Sequence, residues 1–136
     1  MIDCPLCHPT DEILLWQDGR CRVILVDDPI YAGYCRIVWN SHVKEMTDLT
    51  SEDRGHLMAV VFAVEETLRE LLRPAKINLA SLGNMVPHLH WHVIPRFADD
   101  PHFPDAIWAA ARRTGAPRTV DAAALSRHLR MLLGRD

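Results

Sequence analysis

His88-Leu89-His90-Trp91-His92-Val93-Ile94 sets three histidines in alternation with three bulky residues. In an extended strand, successive side chains point to opposite faces. His88, His90 and His92 therefore share one face, each roughly 6–7 Å from the next. Leu89, Trp91 and Val93 share the other face, where they can pack. Three imidazoles on one pleated surface suit few tasks: binding a metal, moving protons, or attacking a phosphorus centre. The run predicts a strand with a packed side and a chemical side.

Working outward, residues 21–26 and 34–39 read as β-rich runs, and the loop between them holds Pro29 and Gly33. That pattern predicts a hairpin. A further strand is expected near residues 13–16. Thr50-Ser51-Glu52-Asp53 reads as a capping box. It opens a helix with Leu57, Val60, Val61, Val64, Leu68, Leu71 and Leu72 at helical spacing. The helix should stop before Pro74, which cannot sit in a helix interior. Residues 76–80 read as a strand, and a Gly83-Asn84 turn leads into the triad strand, which ends by Pro95-Arg96. Asp99-Asp100-Pro101-His102-Phe103-Pro104 is loop-like, and a short helix is expected near residues 106–112. A last helix starts after the N-cap Asp121 and stops at Gly134. The order β-β-β-α-β-β-α with hairpin-like links predicts an α+β fold with an antiparallel sheet.

A chain of 136 residues with no repeat or low-complexity linker fits one domain with a real core. A net charge of −3 predicts no broad basic surface and hence no nucleic-acid partner. No run approaches membrane-spanning length. Met1-Ile2-Asp3-Cys4 lacks the basic start and apolar stretch of a signal peptide, so the expected location is cytoplasmic. Structural disulfides are disfavoured there, and Cys4 and Cys7 need another explanation. Their Cys-x-x-Cys spacing lets two thiolates hold one zinc ion in a tight turn, with two ligands still to find. Two unliganded thiols are the alternative. A redox dithiol is disfavoured because no thioredoxin-type helix follows. Haem attachment at Cys4-x-x-Cys7-His8 would require export.

The stretch from Pro87 to Ile94 resembles the signature of the histidine-triad superfamily, His-x-His-x-His followed by apolar residues. The surroundings agree: a hairpin ending in an apolar strand and His42-Val43, one long helix, a strand bearing Asn78, and a Gly turn. The resemblance covers about residues 3–97. It suggests a histidine-triad core over 1–97, with 98–136 as a C-terminal helical extension packed on the same domain. It implies a five-stranded antiparallel sheet with one long helix, and a homodimer. It also implies a hydrolase or transferase acting at the α-phosphate of nucleotides. Nucleoside phosphoramidates, aminoacyl adenylates and dinucleoside polyphosphates are candidate substrates, and a purine nucleotide or nucleotide conjugate is the expected partner.

The same resemblance makes His90 the nucleophile that forms a phosphohistidine. A second group must hold the other nitrogen of His90; in the family a backbone carbonyl near the first histidine often does so. His92 would stabilise charge on the phosphate or leaving group. Asn78 would contact the phosphate region, and the backbone of Gly83, Asn84 and Met85 would line the pocket. Asp27 or Asp28 would bind the ribose hydroxyls. In zinc-bearing branches of the superfamily, the ligands completing the Cys4 and Cys7 pair resemble His42 and His88, which makes the zinc structural. Two departures stand out. Tyr34 replaces a further active-site histidine of many members, and Met85 replaces a phosphate-binding Ser or Thr. They keep a second reading open, a non-catalytic, zinc-stabilised nucleotide-binding or protein-interaction module.

Of the remaining residues, His102 could cover the site or stand solvated in its loop. His8, His56 and His128 read as surface residues, and Cys21 and Cys35 as core thiols. Trp16, Trp39, Trp91 and Trp108 read mainly as packing residues. One of them could stack on a base, and the sequence does not choose which.

Overall fold

The computed structural model describes residues 3–134. The reading of Met1 and Ile2 as no part of a leader lies outside the described residues. Five strands form where apolar residues alternate or run together: β1 (Ile13–Gln17), β2 (Cys21–Leu25), β3 (Cys35–Trp39), β4 (Lys76–Ala80) and β5 (His90–Arg96). They make one antiparallel sheet in the order β1-β2-β3-β5-β4. Two helices complete the α+β fold, α1 (Ser51–Leu72) and α2 (Ala122–Leu133).

The helix boundaries follow local chemistry. The Thr50 hydroxyl accepts the Asp53 N–H, which satisfies one of the unpaired donors of the first turn. At the other end Arg73 adopts a left-handed conformation (φ 50°), and Pro74 prevents continuation. Asp121 caps α2 by accepting the Ala124 N–H, and Gly134 follows its last turn.

One face of the sheet is covered by the helices. Leu57, Val60, Val61, Val64 and Leu68 of α1 meet Cys35, Ile37, Leu89 and Val93, and Leu125 and Leu129 of α2 close the same core. Leu72 belongs to this stripe, but Leu71 is 41% exposed, a correction to the expected helix face. The hairpin loop between β2 and β3 is pressed against the end of α1. Gly33 has φ +90°, and a Cβ there would lie 2.5 Å from Leu72 Cδ1. Only glycine meets both demands.

The opposite face carries the triad. Register pairs Arg36 with His92, Val38 with His90 and Ala80 with His92. The N-terminal segment lies over this face, packing Cys4 and Leu6 on Ile24 and Val38. Arg22 anchors it by donating to the Leu6 carbonyl and, in a two-pronged pair, to Glu12.

The segment after β5 differs from expectation. No helix forms over residues 106–112, which are turns and irregular backbone. Its organiser is a buried carboxylate instead of a ladder. Asp100 accepts from Arg96 Nε and Nη2 and from the N–H groups of Phe97, His102 and Phe103. Arg113 ties the far side by donating to the carbonyls of Asp100 and Phe103. His56 and His128 are likewise not free surface residues. His56 pairs with Asp18 at 2.6 Å, and His128 bonds the Thr67 hydroxyl at 2.8 Å between the two helices. Cys21 and Cys35 are buried core thiols, and burial raises each to about 12.

Candidate active site

His90 and His92 project from the middle of the sheet onto the floor of a cleft of about 350 Å³. Small-molecule sites begin near this size, about 300 Å³. Tyr34 and Arg36 of the neighbouring strand share the floor. The turn Gly83–Val86 forms one wall, Pro5 and Leu6 form another, and Trp108 stands at the mouth. The sequence left open which tryptophan could face a ligand. Trp108 is the one so placed, 52% exposed, with its ring 5.3 Å from that of His92.

Each imidazole is oriented by a partner that decides its proton. His90 Nδ1 lies 2.6 Å from the His88 carbonyl oxygen. A carbonyl only accepts, so Nδ1 carries the hydrogen and Nε2 keeps its lone pair. His92 Nδ1 lies 2.6 Å from the Tyr34 hydroxyl, and the two triad rings meet edge to face at 5.0 Å. Burial, with the positive charge of Arg36 nearby, lowers the proton affinity of both rings. His92 is brought down to about 4, helped by His90, while the His88 carbonyl partly offsets the effect at His90. Both are neutral near pH 7, the state in which an imidazole nitrogen is a nucleophile.

His88 does not join them. It precedes β5, is fully buried, and points its Nε2–H at the Trp39 carbonyl, 2.5 Å away. Its Nδ1 lone pair faces Cys4 Sγ and Cys7 Sγ, each at 3.4 Å, and His42 Nδ1 at 3.2 Å. Cys7 Sγ lies 3.3 Å from His42 Nδ1. These four atoms lie within 4.8 Å of one another. Edges of a tetrahedron built on Zn–S and Zn–N bonds measure about 3.3–3.8 Å. The two-sulfur, two-nitrogen donor set fits zinc in both chemistry and spacing. Cys4 and Cys7 are brought close by a tight turn in which the N–H groups of Cys7 and His8 donate to the Cys4 carbonyl.

The other expected site residues separate. Gly83, Asn84 and Met85 line the cleft, and Met85 is 94% exposed, so its side chain offers the cleft little. Asp27 lies in an adjoining depression that shares Pro5, Leu6 and Arg36 with the cleft. Asp28 turns inward on its own loop, accepting the N–H groups of Ile30 and Tyr31. Asn78 sits on the triad face two residues along β4 from the Ala80–His92 rung, and its Oδ1 accepts from Arg96 Nη1 at 2.8 Å. His102 does not cover the cleft; it stacks on and bonds Tyr31. Arg36 was missed from sequence. A lone charge amid Cys35, Ile37 and Val38 was the available signal.

An antiparallel five-stranded sheet that presents His90 and His92 beside a Cys/His cluster defines a histidine-triad protein. Residues 9–99 match the HIT domain family, and the chain belongs to that family. It is 30% identical over 111 residues to the AP-4-A phosphorylase of Mycobacterium tuberculosis, an alignment covering 71% of this chain and 57% of that protein. The chain thus spans little more than half the length of those relatives. A histidine triad protein from Marinobacter aquaeolei is 32% identical, with a TM-score of 0.71 and coverage of 90% of this chain and 89% of that one. A Zn-bound histidine triad family protein from Mycobacterium smegmatis shares the fold at 23% identity, with a TM-score of 0.61 and coverage of 94% and 88%.

Proposed function

We propose that this protein transfers a nucleotidyl group from a nucleotide conjugate to His90 and then to water. The observation that carries the reading is the His90 tautomer. Its Nδ1–H is committed to the His88 carbonyl, which leaves a neutral Nε2 lone pair on the floor of the cleft. In the first step Nε2 attacks the α-phosphorus, a P–N bond forms, and the bond from phosphorus to the leaving group breaks. With the Tyr34 hydroxyl donating to Nδ1, His92 bears its proton on Nε2 and donates a hydrogen bond from it to the departing atom, stabilising the negative charge that develops there. In the second step water attacks phosphorus and the P–N bond breaks. The electron pair of that bond returns to His90 Nε2, the water's surplus proton passes to solvent, and a nucleoside monophosphate is released.

The Gly83–Met85 turn contributes backbone donors to the phosphate, and Asp27 receives the ribose in the adjoining depression. Trp108 stacks on the ligand at the mouth. The relative named for phosphorolysis of Ap4A favours a dinucleoside polyphosphate among the three candidate substrates. Inorganic phosphate replacing water in the second step would then yield a nucleoside diphosphate. Cys4, Cys7, His42 and His88 hold zinc in a structural role, since four protein ligands leave no open position.

All four cysteines are unpaired, the state a reducing cytoplasm maintains. Among the described residues no helix is long and apolar enough to cross a membrane. Exposed Phe62 and Leu71 on α1 give a homodimer apolar surface to bury.

The test is release of AMP, or of ADP where phosphate is present, from an adenosine phosphoramidate and from Ap4A by the wild-type protein and by His90→Ala. Release by the wild type alone supports the assignment. Equal turnover in both, or none in either, overturns it and leaves the zinc-stabilised nucleotide-binding or interaction module, the reading that Tyr34 and exposed Met85 favour.

A further inference from the structure

Arg36 interrupts an otherwise apolar strand and points to the side of the sheet that bears chemistry. Its register partners are His92 on β5 and Ile24 on β2. One observation separates it from the other arginines, and a second sharpens it. Its Nε is buried without a hydrogen-bond partner, and it is the single such side-chain atom among the described residues. Among the described residues no carboxylate lies within ion-pair distance of its guanidinium, whereas Arg22 and Arg96, the other arginines of the sheet, each have one.

What surrounds Arg36 does not neutralise it. His90 and His92 are uncharged, and the Tyr34 ring lies beneath the guanidinium, 5.6 Å from Cζ. A cation held this way carries an unmet demand for a negatively charged acceptor. Arginine's planar fork of N–H donors matches phosphate oxygens in pairs, which a point-charge ammonium does not. Arg36 is also where the triad cleft and the Asp27 depression meet, since it lines both. An anionic group at that junction has one side open to His90 and His92 and the other to Asp27.

We infer that Arg36 is the phosphate anchor of this cleft, its Nε and a terminal nitrogen gripping two non-bridging oxygens of the group presented to His90. The identity of that group rests on the proposed function; the demand for an anion does not. Two consequences follow for ligand choice. Nucleoside monophosphates and their conjugates bind, and uncharged nucleosides bind far more weakly. Because a guanidinium does not titrate near neutrality, the grip persists across that range.

The experiment titrates inorganic phosphate, AMP and adenosine into the wild type, Arg36→Gln and Arg36→Lys. Binding is read by calorimetry and by the ring signals of His90 and His92 in NMR spectra. Kinetics on the phosphoramidate are measured in parallel. For the wild type we expect phosphate binding and AMP preferred over adenosine. Arg36→Gln should lose about ten- to a hundredfold in phosphate affinity, the range of a charge-assisted hydrogen bond, together with the AMP preference. Arg36→Lys should recover only part. Thermal stability of Arg36→Gln should equal or exceed that of the wild type, because a half-buried cation with an unpartnered Nε is removed. Phosphate affinity in Arg36→Gln within twofold of wild type overturns the inference, as does a wild type that binds no phosphate. If Arg36→Gln does not fold, Arg36→Lys decides: unchanged phosphate affinity overturns the anchor. Loss of phosphate binding in a family of proteins that all fail to release AMP would leave the anchor standing and remove the proposed reaction. Turnover with unchanged KM and phosphate affinity in Arg36→Gln would do the reverse.

Discussion

Asp100→Asn tests whether one buried carboxylate organises the segment that brings Trp108 to the cleft. The Asp100 and Arg96 side chains are 4% and 2% exposed, and the carboxylate accepts two guanidinium and three backbone hydrogen bonds. Asparagine keeps the shape but loses the charge and turns an NH2 group toward donors. Arg96 would retain the Asn78 Oδ1 and no anion. Leaving a buried charge uncompensated costs about 3–5 kcal/mol. At roughly 3 °C per kcal/mol for a chain of this size, the melting temperature should fall by about 9–15 °C. Urea unfolding of both proteins between pH 7 and pH 2 checks the cause. Burial pushes the Asp100 carboxyl up, but the bonds from Arg96 and from the His102, Phe97 and Phe103 N–H groups overcome this and hold it well below the carboxylate range. The pair's stability is therefore fully present above the unfolded value of about 3.9 and is lost as pH falls through the lower folded value. The gap between wild type and variant should narrow below about pH 4. A cost under about 1 kcal/mol at pH 7, or a gap constant down to pH 2, would refute the reasoning.

Three further outcomes are expected. Tyr34→Phe leaves the buried His92 Nδ1 without its partner, a cost of about 1–3 kcal/mol; kcat on the phosphoramidate should drop about five- to a hundredfold, and an unchanged kcat would show that Tyr34 does not hold His92 in its working orientation. Cys4→Ser should reduce bound zinc, measured by atomic absorption, and lower the melting temperature; full zinc content in the variant argues against the four-ligand centre. Gly33→Ala forces a side chain into a left-handed position and against Leu72, so urea unfolding should show a loss of about 1–3 kcal/mol, and wild-type stability would show that the loop shifts freely.

Much of the fold was readable because its signals are local. Pro74, Asp121 and Gly134 mark helix limits through backbone chemistry that acts within a turn. Alternation in Lys76–Ala80 and in the triad strand reports burial within the same few residues. The irregular path of residues 98–119 was not readable in this way. Ala106, Ala109 and Ala110 favour helix by propensity, yet the segment is shaped by Asp100 reaching back to Arg96 and by Arg113 reaching back to Asp100. The site divides along the same line. The histidines and the Cys pair advertise themselves by spacing, whereas Arg36 gains meaning only from register opposite His92, and Trp108 only from the course of an irregular loop. Asp28 and Asp27 are adjacent and chemically alike, and only the loop's own hydrogen bonds show that Asp28 is already occupied.

The position of β5 between β3 and β4 has a consequence for hydrogen exchange. Its ladders run on both sides, so its amides open only when much of the sheet opens. The turn at Gly83–Val86 has no such cover and should exchange far sooner. The cleft is thus assembled from two populations of backbone, a histidine-bearing floor protected to nearly the global unfolding free energy and a wall that samples open states often. Ligand entry and release can proceed through the second without disturbing the first.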